Sequence, residues 1–196
     1  MRRMTAVQAE QKIGDLLVKK VQKDKNLHNA ILLVHSERYG IHWKFASGVT
    51  PDHTYHVASI GKTFTSVLVA ELVEQSRIDY DDPIRKFLPK DLLSGLFVFQ
   101  GRDHADRVLV RHLLNHTSGI ADYFTDKPRK GKPIIDLVID EPTRFWTPQD
   151  TILWARDNLE PHFPPGQGFH YADTGYQLFG VDRGKNHGEA FPSKSA

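Results

Sequence analysis

Hydrophobic and polar positions divide the first half of the chain into helices and one pair of strands. Residues 5–24 carry apolar side chains at helical spacing among charges, which predicts an amphipathic surface helix. Two short apolar runs, 30–34 and 41–45, flank a turn at 36–40 and are typical of a β-hairpin. The stretch 60–74 is apolar on nearly every side. We therefore expect it to form a buried central helix.

The second half is predicted to consist of short helices and polar connections. Asp81-Asp82-Pro83 supplies an N-cap and a first-turn proline for a short helix that ends before Pro89. Residues 108–114 are predicted to be a further helical or extended piece. The polar, proline-containing stretch 120–148 favours a solvated loop, with a binding lip over a site as the alternative interpretation. Capping residues at 147–150 predict a helix through Trp154, the run 163–166 predicts a turn, and residues 174–179 resume a helical pattern.

Composition places the chain among ordinary globular proteins, with 39% hydrophobic and 26% charged residues over 196 positions. A net charge of +2 gives no basic face or stripe, so no nucleic-acid partner is expected. No apolar run reaches the ~18 residues of a membrane span. The first residues contain no apolar signal region, so no signal peptide is predicted and the chain as written is expected in the cytoplasm. The absence of cysteine excludes disulfides, thiolate zinc sites and cysteine nucleophiles.

Ser59 is the main candidate for a catalytic residue. Lys62 lies three positions after it, at the start of the predicted central helix. Residues three positions apart lie on the same face of a helix, so the amine can contact the hydroxyl. This is the arrangement of an activated serine nucleophile, and a helix N-terminus favours the oxyanion that forms on attack. The same letters also end a nucleotide-binding loop, Gly61-Lys62-Thr63. That loop needs a glycine where His56 stands, so the spacing excludes it.

Five phrases in order along the chain resemble the serine beta-lactamase and penicillin-binding-protein superfamily, in its class C and esterase-like branch. The resemblance covers roughly residues 25–180. The phrases are His-Val-Ala-Ser-Ile-Gly-Lys-Thr-Phe-Thr at 56–65, Ile-Asp-Tyr-Asp-Asp-Pro at 78–83, Val-Arg-His-Leu-Leu-Asn-His-Thr-Ser-Gly at 110–119, Phe-Pro-Pro-Gly at 163–166 and Tyr-Ala-Asp-Thr-Gly-Tyr-Gln-Leu-Phe-Gly at 171–180.

The resemblance implies an α+β fold of the beta-lactamase and transpeptidase type, in which an antiparallel sheet carries a helical region. It implies that Ser59 is the acylated nucleophile, that Lys62 assists it and that Tyr171 is the general base; a neighbouring ammonium stabilises the phenolate that this role needs. Tyr171 also has an alternative interpretation as a core tyrosine. Asp173 stands where much of the family has asparagine, and a carboxylate cannot donate to a substrate carbonyl. Ester or peptide substrates are thereby favoured over beta-lactams.

One motif of that family, Lys/His-x-Gly on a strand lining the site, is absent from the sequence after Tyr171. In the family this strand supplies one of the two oxyanion-hole N–H groups and belongs to the closing part of the sheet. We therefore expect residues 1–180 to be the N-terminal part of a beta-lactamase-like domain whose C-terminal strands are missing. Residues 181–196 do not resemble the family, and permitted codons allow a family-like helix in a shifted frame. We interpret them as an out-of-frame tail.

The sequence therefore predicts a serine hydrolase acting through a Ser59 acyl-enzyme on a small molecule or peptide with an ester, amide or beta-lactam carbonyl, impaired by truncation. The alternative is a catalytically silent remnant or ligand-binding fragment. A peptide-binding module using the basic run 127–132 has only its charge in support. No cofactor is expected. His112 and His116 have the spacing of two metal ligands but lack the glutamate of a metalloprotease, and the other histidines look scattered, so no metal site is predicted.

Overall fold

A computed structural model describes residues 4–181, and contacts group the chain into two units, Met1–Val57 and Ala58–Ala196. Most of the predicted tail, from residue 182 onward, lies outside the described residues. The first of its residues, Val181, is 5% exposed and belongs to the core of the second unit.

The first unit consists of helix α1 (Ala6–Lys23) and an antiparallel hairpin of β1 (Ala30–Ser36) and β2 (Ile41–Ser47). Helix α1 begins with a capping box, in which Thr5 Oγ1 accepts from the Gln8 backbone N–H and the Gln8 side chain accepts from Thr5 N–H. A 3-10 turn joins the strands. The predicted surface helix and hairpin are therefore both present.

The second unit contains six helices and one small hairpin among its described residues. The helices are α2 (Gly61–Glu74), α3 (Lys90–Leu93), α4 (Val110–Leu114), α5 (Ile134–Asp140), α6 (Pro148–Asn158) and α7 (Asp173–Gln177). The hairpin pairs β3 (Val98–Phe99) with β4 (Arg102–Asp103). Its strands and helix α3 were not predicted from the sequence, because each is too short to show a period.

Apolar side chains from the loops and short helices form the main core of this unit. It is distributed along the sequence, which ties the segments after α2 into one body. Its buried members are Ile84, Leu88, Leu92, Leu93, Leu96, Phe97, Val108, Leu113, Ile120, Ile152, Ala172, Leu178 and Val181.

Helix α2 is not the buried central helix that its composition predicted. Val69 is its one buried residue, packed with Ile78 and Val110, whereas Phe64 and Leu68 are 66% and 58% exposed. Apolar residues on every face of a helix indicate that all of its surfaces would gain from burial. A face is buried, however, only where another segment of the protein packs against it. Among the described residues, the partners lie on one side of this helix.

Two further predictions are corrected in the second unit. The stretch 120–148 is not wholly a solvated loop, since it contains α5 and the buried residue Asp122. Its prolines obscured a short apolar run that packs through Ile134, which is 2% exposed. The predicted helix after Asp82 is only a 3-10 turn, Ile84–Lys86. The Ile84 N–H bonds to the Val108 carbonyl instead of opening an α-helix.

Capping chemistry predicted α6 well. Thr147 Oγ1 accepts from the Asp150 N–H, and the Asp150 carboxylate accepts from the Thr147 N–H. Pro148 occupies the first helical position. The helix continues four residues beyond the predicted end at Trp154, because Ile152 and Ala155 keep an apolar face toward the core.

Candidate active site

Ser59 lies in a 3-10 turn, Ala58–Ile60, that leads directly into helix α2. Lys62 occupies the first turn of α2, and its Nζ donates to Ser59 Oγ across 3.2 Å. The predicted neighbourhood of serine and lysine is therefore present in space. Ala58 precedes the serine with φ of +46°, a left-handed conformation that L-residues rarely adopt. Such backbone strain concentrates at sites where a side chain must be presented in one orientation.

Tyr171 reaches the same serine from a distant part of the chain. Its hydroxyl donates to Ser59 Oγ across 2.8 Å. The Tyr171 ring packs against His116 with a centroid separation of 4.3 Å, and His116 Nδ1 accepts the N–H of Ala172 at 3.2 Å. His116 therefore positions both the ring and the backbone of the segment that carries Tyr171.

Asp173, at the start of helix α7, forms an ion pair with Lys62. The two side chains retain 23% and 18% of their exposed surface, so the pair is largely shielded from water. Burial by itself lowers the pKa of Lys62. Hydrogen bonds to Asp173 and Tyr171, together with the charge of Asp173, outweigh that effect and raise the pKa above its usual value. Lys62 is thus held as an ammonium.

Asp122 is a site-supporting residue that sequence reasoning missed. It is fully buried, and its Oδ1 accepts the backbone N–H of Asp173 at 2.8 Å. Its Oδ2 accepts from both the backbone and the hydroxyl of Thr125, at 3.0 and 2.6 Å. The spacing Asp-x-x-Thr is a local signal for such a turn. Its link to Asp173, 51 positions away, has no signal in the sequence.

Ser59, Lys62 and Asp173 line an open cleft of about 400 Å³. The remaining lining residues come from the start of α2, from the loop after α4 and from α7. They are Ala58, Gly61, Thr65, Tyr123, Phe124, Tyr176 and Gln177. A nucleophile, a cation, a phenol and a carboxylate thus meet at one accessible surface.

The histidines are arranged differently from the sequence interpretation. His112 Nδ1 accepts the N–H of Leu109, and His116 Nδ1 is occupied by Ala172, so this pair does not converge. The interpretation that the other histidines are scattered is wrong for His162 and His170, whose rings stack at 3.7 Å beside Asp126. An eight-residue spacing around a Pro-Pro-Gly turn was the available signal.

The basic run 127–132 has internal partners. Arg129 donates to the Asp157 carbonyl and pairs with Glu160, and Lys132 pairs with Asp140. These contacts engage two of its cations within the fold. They account for part of the run without an external partner.

Comparison with known proteins gives the family. A family model described as beta-lactamase matches residues 30–184. The chain belongs to the beta-lactamase family. Its fold is accordingly of the beta-lactamase and transpeptidase type, and the family is one of serine hydrolases of the beta-lactamase and penicillin-binding type.

Individual relatives of this chain support its placement in the beta-lactamase family. Penicillin-binding protein 4* of Bacillus subtilis (strain 168) is 30% identical over 135 residues, which cover 65% of this chain and 24% of the relative. The structure of a D-stereospecific amidohydrolase from Streptomyces sp. is 30% identical, with a TM-score of 0.70 over 88% of this chain and 47% of that one. D-amino acid amidase from Ochrobactrum anthropi SV3 is 26% identical, with a TM-score of 0.57 over 88% and 42%.

The chain spans less than half the length of each of these relatives. Among residues 4–181, no helix has the length and apolar character needed to cross a bilayer.

Proposed function

We propose that the chain carries the acylating half-site of a serine hydrolase, in which Ser59 attacks the carbonyl carbon of an amide, ester or beta-lactam. The observation that carries this proposal is the convergence of two donors on Ser59 Oγ, Lys62 Nζ at 3.2 Å and the Tyr171 hydroxyl at 2.8 Å. Spacing alone would bring Lys62 to Ser59 in many helices. The arrival of Tyr171 at the same oxygen adds a second proton-handling group.

The charges at the site support one division of the proton-transfer roles. Lys62 is paired with Asp173, so it acts as a fixed positive charge and not as the free base. Tyr171 is then the group that we expect to take the Ser59 proton, after it has lost the proton that its hydroxyl donates to Ser59 Oγ in this arrangement. The Lys62 ammonium lies 4.9 Å from the centre of the Tyr171 ring.

The reaction then runs in two steps. In the first, a bond forms between Ser59 Oγ and the carbonyl carbon, the serine proton passes to Tyr171, and the bond to the leaving amine or alcohol breaks as that group takes the proton. In the second, water attacks the acyl-enzyme, which releases the acid and restores the serine hydroxyl. The solved relatives named as amidohydrolase and amidase make D-amino acid amides the first substrate class to test.

Covalent labelling tests this proposal on the 196-residue chain. We expect a fluorescent phosphonate or penicillin to form an adduct that peptide mass spectrometry locates at Ser59, and we expect Ser59→Ala to abolish it. Ser94→Ala, which changes an exposed serine outside the cleft, is the matched control and should label like the wild type. A folded wild-type chain that takes no label with either probe would sink the proposal.

A second candidate function is ligand binding without turnover. The observation that favours it is that both neighbours donate to Ser59 Oγ, Lys62 Nζ and the Tyr171 hydroxyl, so neither accepts the serine proton in this arrangement. Saturable binding of a D-amino acid amide, measured by calorimetry, with no adduct and no product would select this alternative. Slow labelling at Ser59 would reject it.

A further inference from the structure

Asp126, His162 and His170 converge in the second unit, outside the cleft that contains Ser59. Asp126 Oδ2 lies 2.8 Å from His162 Nε2 and 3.0 Å from His170 Nε2. One ligand-type atom from each residue lies within 4.8 Å of the other two. The Nε2 atoms of both rings contact the same carboxylate oxygen, although the two histidines lie 36 and 44 positions from Asp126 in the sequence.

We propose that these three side chains form a binding site for a divalent transition metal of the zinc type. Two imidazole nitrogens and one carboxylate oxygen are a donor set that Zn²⁺ and Co²⁺ accept, with a further position left for water. Ca²⁺ and Mg²⁺ prefer oxygen ligands, so this donor set disfavours them.

The distances fit such an ion after a small adjustment. Bonds of about 2.0–2.2 Å in a tetrahedron place neighbouring ligand atoms about 3.4 Å apart. The two nitrogen–oxygen separations, 2.8 and 3.0 Å, must therefore widen by about half an ångström. The side chains of His162 and His170 are 40% and 26% exposed, so they have room to move and an ion can enter from solvent.

Hydrogen bonds to the backbone position the three residues that would bind the metal. The Asp126 carboxylate accepts the Asp122 N–H at 2.7 Å, and the Asp126 N–H donates to the Asp122 carbonyl. The N–H of His162 bonds to the Gly119 carbonyl at 2.8 Å, and that of His170 to the His116 carbonyl at 2.9 Å. A site whose ligands are oriented by neighbouring hydrogen bonds needs little reorganisation to bind.

The site is connected to the cleft by short covalent and hydrogen-bonded links. His170 directly precedes Tyr171, and Asp122 bridges the Asp126 carboxylate to the backbone of Asp173. A metal ion here would therefore clamp the loop that contains Asp122 and Asp126 to the segment that presents Tyr171. Its role is structural, because the ligands do not contact Ser59, and it does not depend on the proposed hydrolase activity.

Metal titration of the chelator-stripped full chain tests this proposal. We expect calorimetry to show one tight Zn²⁺ site per chain, a rise in the melting temperature with Zn²⁺, and the visible absorption of tetrahedral Co²⁺ when cobalt is used. His162→Phe keeps an aromatic ring to stack on His170 but removes the nitrogen. We expect it to weaken Zn²⁺ affinity by at least about 100-fold.

The control is a second pair of histidines in the first unit. His35 and His42 face each other across the hairpin with their Nδ1 atoms 3.1 Å apart, so any additional, weaker uptake of Zn²⁺ is expected there. The double variant His35→Gln/His42→Gln should keep the Zn²⁺ affinity of the wild type. If it loses the affinity, or if His162→Phe retains it, the proposal is wrong.

Two further measurements test the metal site even if the His162→Phe variant misfolds. Asp126→Asn preserves side-chain size and should also weaken binding, and its fold can be checked by circular dichroism. In the wild-type chain, Zn²⁺ should shift the Nε2 resonances of His162 and His170 in nitrogen NMR spectra. Shifts confined to other histidines, or no uptake of Zn²⁺ or Co²⁺, would overturn the site.

Discussion

The Tyr171 hydroxyl donates to Ser59 Oγ across 2.8 Å, although the two residues stand 112 positions apart in the chain. This contact makes the clearest test of the proposed proton route. Tyr171→Phe removes the hydroxyl and keeps the ring that packs on His116. We expect the rate of covalent labelling at Ser59 to fall by about 100- to 10,000-fold, the range for loss of a positioned acid or base.

The labelling rate and the melting temperature of this variant should be measured together. Tyr39→Phe, at a 69% exposed position of the hairpin, is the control and should label like the wild type. An unchanged rate in a folded Tyr171→Phe chain would remove Tyr171 from the mechanism.

The Lys62–Asp173 ion pair predicts a dependence of stability on alkaline pH. The folded-state pKa of Lys62 is raised above its usual 10.5, so the folded chain holds this proton more tightly than the unfolded chain. The resulting stabilisation is fully present below pH 10.5 and disappears as the pH rises through the folded-state pKa. Asp173→Asn should lower the free energy of unfolding at neutral pH, and its deficit should shrink above pH 10.5.

Urea denaturation at a series of pH values from neutral to strongly alkaline measures this effect. The control is Asp52→Asn, which removes the partner of Lys44 in an exposed ion pair. Exposed pairs contribute little, so this variant should show almost no deficit at any pH. Parallel pH profiles for wild type and Asp173→Asn would contradict the assigned pairing.

His112 predicts a loss of stability in acid. Burial, then the charges of Arg111 and Arg107, lower its pKa below the usual 6.5, and its Nδ1 accepts the Leu109 N–H. The unfolded chain therefore binds a proton that the folded chain resists, and stability falls as the pH drops below 6.5. His112→Asn retains an acceptor that does not titrate, so its melting temperature should fall less between neutral and mildly acidic pH.

Melting curves over that range provide the measurement, with His53→Asn at an exposed position as the control. The control should follow the wild type. An acid slope that is equally steep in His112→Asn would show that another group is responsible.

Gly119 predicts a backbone effect at the turn that follows α4. Its φ is +79°, and a Cβ there would lie 1.9 Å from the Phe163 carbonyl oxygen. Gly119→Ala should therefore destabilise the chain by more than about 1 kcal/mol, since it combines a left-handed conformation with a clash against backbone.

Gly131→Ala separates the two contributions. Gly131 has a nearly equal φ of +81° but no atom within 4 Å of an added Cβ. Denaturant unfolding should give a smaller loss for Gly131→Ala, and the difference between the variants measures the clash with Phe163. Equal losses would mean that the loop yields freely at Gly119.

Local chemistry made part of the site predictable. The three-residue spacing of Ser59 and Lys62 predicts their proximity through helix geometry, and the 3-10 turn that leads into α2 preserves it. The capping residues of α6 predict its first turn. The resemblance of the phrase at 171–180 to a known motif singled out Tyr171 and Asp173. Their contacts with Ser59 and Lys62 needed the structure.

Long-range pairing made the rest unpredictable. The link from Asp122 to Asp173 and the meeting of His162 with His170 depend on how loops fold over one another, which no periodic pattern records. The prediction that α2 is buried was wrong for a related reason. Hydrophobicity describes a preference of the helix and not the presence of a neighbouring segment.

We expect the apolar surface of α2 to promote self-association of the chain. Phe64, Val67 and Leu68 present their side chains to water within less than two turns of helix. Contiguous apolar surface of this kind promotes self-association that grows with concentration. Light scattering across a dilution series should therefore detect oligomers at high concentration. A triple substitution of these positions by polar residues should keep the chain monomeric at the same concentrations.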